Sequence, residues 1–187
     1  AAGAVFGYGP EDGSMIWKVD YKDGYSVIPR PVFAHGLVFI SSGYNRPILY
    51  AIDPAGTGDI TDTHVKWTLD REAPHTPSPL VVGDELYLVS DRGIGSCVDA
   101  RTGEVHWQER LNGKFSASPL FADGLIYIQA EEGETIIVRP GKEYQEVNRN
   151  QLEPRTFASF AVLDSSLLIR TEKQLYRIGN PEVSSAS

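Results

Sequence analysis

The sequence predicts an all-β fold, a β-propeller whose blades are four antiparallel strands. Three observations carry that expectation. Related segments recur with a period of roughly 40 residues. Each repeat reads as short alternating strands separated by Gly, Asp or Ser turns. No stretch keeps apolar residues at i, i+3, i+4 and i+7 over three turns, so long helices are not expected.

The repeat begins with a strand, a turn and a second strand. "RPVFAHGLVFIS" from Arg30, "SPLVVGDELYLVS" from Ser78, "SPLFADGLIYIQ" from Ser118 and "SFAVLDSSLLIR" from Ser159 share this pattern. Their turn positions, Gly36, Asp84, Gly124 and Ser165, are spaced 48, 40 and 41. A third strand follows in each unit: "ILYAID", "GSCVDA", "TIIVRP" and "QLYRIG". The fourth strand carries a tryptophan in "MIWKVD", "VKWTLD" and "VHWQER", but "EYQEVNR" has lost it. Four short strands per unit are the mark of a propeller blade. A β-sandwich would leave the internal period unexplained.

On this reading three blades are complete, at about 29–70, 76–110 and 115–149. The segments "AVFGYG" and "SMIWKVD" supply the last two strands of an earlier blade. Residues 156–179 supply three strands of a later one. The expected organisation is one propeller unit over 1–180 and a flexible tail over 181–187.

A role for the tryptophans follows from the geometry of a radial array. Each blade buries a face on its neighbour, and a flat ring on the outer strand can cover the neighbour's turn. Burying one indole removes on the order of 200 Å² from water, worth several kcal/mol at about 25 cal/mol per Å². Trp17, Trp67 and Trp107 are therefore read as docking residues. In "DARTGEVHW", Asp99, Thr102 and Gly103 form the turn, with Gly103 free to take a positive φ.

Composition excludes several function classes. Hydrophobic residues are 41% and charged residues 22%, ordinary for a folded chain. No apolar run is long enough for a membrane-spanning helix. With 25 acidic and 17 basic residues interspersed, no basic face for nucleic acid is expected. Cys97 is the single cysteine, so an intrachain disulfide is excluded. The four histidines are scattered without metal-ligand spacing. The chain opens on "AAGAVFGYG" with no signal-peptide pattern.

The Asp99-x-x-Thr102-Gly103-x-x-x-Trp107 motif and the "SPL…DGLIYI" strands resemble the tryptophan-docking repeat of quinoprotein-type propellers, the pyrroloquinoline-quinone-like family. The resemblance runs from about Val5 to Gly179. The family includes quinone-dependent dehydrogenases, cofactor-free bacterial relatives and a propeller lipoprotein scaffold of the outer-membrane β-barrel assembly machinery. It implies seven or eight blades, closed by a strand from the other end of the chain. This chain is thus expected to be the C-terminal half of a longer propeller. Its partner would be the remaining half or a second copy. A compact four-bladed ring, with the Trp17 strand completing the last blade, is the rival arrangement. The resemblance also places the expected compartment in the periplasm or outside the cell.

Quinone enzymes of the family carry a vicinal cysteine pair over the cofactor and a calcium site. Cys97 alone does not supply the pair, and it reads as a buried small hydrophobe. No cofactor is therefore expected, pyrroloquinoline quinone with calcium being the alternative. The expected function is a non-catalytic protein-binding or assembly scaffold. The alternatives are part of a quinone-dependent dehydrogenase or a carbohydrate- or small-ligand-binding propeller. The loops entering each blade and the loops joining second to third strands are expected to share one face. That face would gather Arg30, Arg46, Arg71, His75, Arg92 and Arg155 as a candidate binding surface, with Asp91, Glu131, Glu132, Tyr25, Tyr44 and Phe115 nearby.

Overall fold

The computed structural model describes residues 3–21, 24–44, 46–153 and 155–179. The tail at 181–187 lies outside the described residues. Strands β1 (Ala4–Tyr8) and β2 (Met15–Asp20) open the chain. A second sheet holds β3 (Val32–Ala34), β4 (Leu37–Ser41), β5 (Leu49–Ile52) and β7 (Val65–Leu69), in that order. A third holds β8 (Leu80–Val82), β9 (Glu85–Val89), β10 (Ile94–Asp99) and β11 (Val105–Arg110). A fourth holds β12 (Leu120–Ala122), β13 (Leu125–Gln129), β14 (Glu134–Val138) and β15 (Glu146–Gln151). The last has β16 (Ala161–Leu163), β17 (Ser166–Arg170) and β18 (Leu175–Gly179). These are antiparallel propeller blades, and the three complete ones fall where the repeat predicts.

The insertion in the second blade behaves differently from a plain loop. Its residues Gly58–Asp59 form β6, which pairs in parallel with β2. A single helical turn, α1 (Thr61–His64), follows. The second blade thus contributes a strand to the outer edge of the first. Ile60 donates its N–H to Lys18 O at 3.0 Å, and Asp20 donates its N–H to Thr61 Oγ1 at 2.9 Å. The Lys18 ammonium lies 2.8 Å from Asp20 and 2.9 Å from Asp59. The compact four-bladed alternative is not formed. The Trp17 strand belongs to the sheet of β1 and β6, and β18 pairs with β17 alone among the described residues.

The core is a set of slabs between blades. Trp17, Val19, Tyr21, Ile40, Ile52 and Ile60 fill the first. Phe39, Leu49, Ala51, Leu86, Leu88 and Val98 fill the second, with Trp67 packed against them. Tyr87, Cys97, Trp107, Phe115, Ile126 and Ile136 are part of the third. Each slab contains one of the three tryptophans.

Tryptophan docking runs from each blade to the next. Trp67 lies over the turn of the third blade and donates its indole N–H to Ala100 O at 3.3 Å. Trp107 does the same to the fourth blade, donating to Gly141 O at 3.0 Å. The turn that receives Trp67 is built by Asp99. Its Oδ1 accepts the N–H groups of Arg101 and Thr102, both at 2.9 Å, and the Thr102 hydroxyl at 3.0 Å. Gly103 sits at φ 76°, and a Cβ there would come 2.7 Å from the Trp67 ring. Glycine is required twice over, by the backbone and by the ring above it.

Within each blade the tryptophan faces a small residue. Trp17 pairs with Gly7, Trp67 with Ala51 and Trp107 with Cys97. A β-bulge follows each pair, leaving Ile16, Lys66 or His106 unpaired on the outer strand. In the fourth blade Asn148 takes the tryptophan's position and faces Ile137. Both partners have changed together. Between the fourth and fifth blades, the step without an indole, a cleft of about 840 Å³ opens beside Tyr127, Ile137, Leu152, Val162, Ile169 and Ile178.

Near the start of each blade a second link repeats. Arg30 N–H donates to Ser78 Oγ, Ser78 N–H to Ser118 Oγ and Ser118 N–H to Ser159 Oγ, each at 2.9 Å. This chain of bonds follows the same serines that define the repeat.

Two outcomes check this architecture. Gly103→Ala is expected to lower stability by about 2 kcal/mol or more, through a strained φ and a clash with Trp67. Denaturant unfolding would measure it, and an unchanged midpoint would refute the docking geometry. The β2–β6 clamp is expected to be acid-sensitive. Asp59 is held at about 2, below its ordinary 3.8, by the Thr61 hydroxyl, then by Lys18 and the Thr61 N–H. A depressed carboxylate stabilises the fold fully above its unfolded value and loses that contribution as pH falls toward its folded value. Amide protection in β2, relative to intrinsic exchange, should therefore fall between about pH 4 and 2, and Asp59→Asn should abolish that acid-dependent step.

Candidate functional site

The loops entering each blade do lie against the loops joining second and third strands. Backbone hydrogen bonds join them around the array. Tyr44 N–H donates to Tyr25 O at 2.8 Å, Leu111 to Gly93 O at 2.8 Å and Glu131 to Lys114 O at 2.8 Å. Leu152 donates to Gly133 O at 3.0 Å and Glu172 to Arg155 O at 2.9 Å. Gly93 shows why this layer is glycine-dependent. It has φ 84°, and a Cβ would stand 2.8 Å from the carbonyl of Gly113 in the crossing loop. The glycines therefore serve turns and close approach. They do not form a phosphate loop, since no helix follows them.

Between the second and third blades this face holds an open groove of about 490 Å³. Arg46, Arg71, His75 and Arg92 line it together, with Asp70, Glu72, Ser90, Asp91 and Gln108. Arg30 and Arg155 do not line it. Arg30 is exposed, at the head of the serine chain. Arg155 pairs with Glu131 at 2.9 Å and stacks 4.9 Å above the Phe157 ring. Phe115, expected on the surface, is fully buried in the third slab. Its loop turns it inward because the slab beside Trp107 needs an apolar filler.

Inside the groove the carboxylates already have work. Asp70 pairs with Arg46 at 3.1 Å. Glu72 accepts the Ser90 hydroxyl at 3.0 Å. Asp91 Oδ2 accepts the N–H of His75 at 2.7 Å and of Thr76 at 3.2 Å, which fixes the proline-flanked loop. His75 stacks on Tyr44 at 5.6 Å, and Tyr44 packs on Tyr25 at 5.1 Å. The His75 Nε2 is buried without a hydrogen-bond partner among the described residues. Both tyrosines remain about half exposed, so they form an aromatic shelf beside the groove.

Sequence reasoning missed a second polar cluster. Arg149 binds Glu134 at 2.7 Å, both oxygens of Glu146 at 2.9 Å, and Leu111 O at 3.1 Å. The Arg149 guanidinium holds Glu146 below the usual carboxylate range. Burial, followed by Glu146, pushes the Tyr144 phenol up. These groups tie the outer strand of the fourth blade to the loop entering it. No short motif marks them, because their partners come from three separate segments.

The residues do not fit a quinone with calcium. Cys97 is fully buried opposite Trp107, and burial raises its thiol to about 11, far from a reactive thiolate. Among the described residues no group of three or more His, Cys, Asp or Glu converges as a metal site. Among the described residues no helix is long and apolar enough to cross a membrane.

Comparison with known proteins agrees with the blade repeat. The family described as "Outer membrane protein assembly factor BamB" matches residues 1–97 and 61–140. The protein of that name from Marinobacter adhaerens is 34% identical over 79 residues, covering 42% of this chain and 20% of the relative. The one from Alkalilimnicola ehrlichii is 28% identical over 128 residues, covering 66% of this chain and 32% of the relative. The crystal structure of BamB from Moraxella catarrhalis superposes with a TM-score of 0.73 at 18% identity, over 95% of this chain and 52% of that one. The chain spans a fifth to a third of the length of these curated relatives.

The role given to Asp91 is open to direct test. Asp91→Ala should release the N–H groups of His75 and Thr76 and cost about 1–3 kcal/mol. Hydrogen exchange at residues 75 and 76 should rise well above that in neighbouring strands. Unchanged protection would show that the loop is held by something else.

Proposed function

The chain belongs to the outer membrane protein assembly factor BamB family, and we propose that it serves as a non-catalytic propeller scaffold that binds protein. The process is the one its relatives are named for, assembly of outer membrane proteins. The compartment proposed with it is the periplasm. The observation that carries this reading is the groove on the loop face, where arginines and an aromatic shelf are held on docked blades. Arginine and tyrosine are the side chains that most often anchor protein interfaces. The scaffold is suited to the task because its loops are fixed to one another by backbone bonds, so little order has to be gained on binding. No observation favours a carbohydrate site or quinone chemistry within these blades.

The test is genetic and quantitative. Deleting the gene in its host should lower the amount of folded outer membrane protein, and the wild-type gene should restore it. A copy carrying Arg71→Glu and Arg92→Glu should accumulate normally yet restore poorly, with capture of its partner reduced about tenfold or more. Unaltered outer membrane protein levels in the deletion strain would refute the proposal.

A further inference from the structure

We infer that the groove between the second and third blades takes an acidic segment of a partner protein, whose carboxylates are met by Arg71 and Arg92. The inference rests on the protein-binding reading above and adds the chemistry of the partner. It comes from hydrogen-bond accounting in the groove. Three arginines and three carboxylates line it, so formal charge alone does not choose a ligand. Their occupation does. Asp70 is taken by Arg46, Glu72 by the Ser90 hydroxyl and Asp91 by two backbone N–H groups.

Arg71 and Arg92 are exposed and bond to no other described residue. Each guanidinium presents five N–H donors in a fork that matches a carboxylate. Each carboxylate of the groove thus holds a partner, while two of its three guanidiniums hold none among the described residues. A ligand that pairs these two guanidiniums must bring acceptors, and a carboxylate brings the strongest.

The neighbouring shelf narrows the choice. Tyr25 is 47% exposed and Tyr44 53%, stacked in a row that ends on His75. A flat apolar surface of this kind suits an aromatic or aliphatic side chain next to the acidic ones. A small anion would leave the shelf uncovered. A polypeptide with acidic residues interspersed with apolar ones would engage both parts. The volume of about 490 Å³ accommodates a few side chains of such a segment.

Fluorescence anisotropy on the purified protein tests this with a labelled peptide, Glu-Asp-Tyr-Glu-Asp-Tyr, and its isostere Gln-Asn-Tyr-Gln-Asn-Tyr. The acidic peptide is expected to bind about tenfold or more tightly than the isostere. Arg71→Gln with Arg92→Gln should remove that preference, and Arg155→Gln should preserve it. Equal binding of the two peptides, equal loss in Arg155→Gln, or no binding would overturn the inference. So would attachment to phosphatidylglycerol vesicles through the same arginines without peptide binding. Each of these leaves the genetic test of the scaffold role untouched, so the two readings fail separately.

Discussion

An indole laid on the next blade's turn is the contact on which the rest of the molecule depends. Each sheet has one face that must leave water, and the radial arrangement gives it only the adjoining sheet to cover it. Trp67 and Trp107 each reach across that gap with a ring that excludes water and an N–H that satisfies a turn carbonyl. The turn that receives Trp67 must be flat enough for the ring, which is why Asp99 organises it and Gly103 closes it. The slab of apolar side chains beneath each indole then follows. The fourth-to-fifth step, where Asn148 stands at the indole's position, carries an apolar cleft instead.

The binding face inherits its rigidity from this packing. Loops that cross between blades are held by backbone bonds to the loops beneath them, and those bonds form only if successive blades stay in register. The groove at Arg46, Arg71 and Arg92 is therefore a product of two blades at once. Its carboxylates hold the framework in place, while two arginines are left facing solvent. Structural and recognition roles are divided among neighbouring residues of opposite charge.

Much of the fold was legible in the sequence because the repeat states the same solution several times. The tryptophan spacing, the Asp-x-x-Thr-Gly turn and the alternating strands locate the complete blades, and Cys97 falls where a small residue must face Trp107. The β6 strand was not legible. Gly58 and Asp59 have little strand propensity, and only the free edge of β2 gives them a partner. The groove was partly legible. Arg46, Arg71, His75 and Arg92 come from corresponding loops of adjacent repeats, so topology brings them together. Arg155 pairs elsewhere and Phe115 turns inward, outcomes set by a nearby Glu131 and by slab volume rather than by position in the repeat.

The serine chain that links the starts of the blades has a direction. All three links run from the backbone of one repeat to the hydroxyl of the next, and none runs back among the described residues. The third and fourth blades, through Ser78 and Ser118, are thus each a plug on one side and a socket on the other. A gene encoding such a unit can lengthen or shorten by whole repeats without inventing a new joint. It cannot accept a repeat facing the wrong way round. The polarity of one small hydrogen bond makes the array modular in number and fixed in sense.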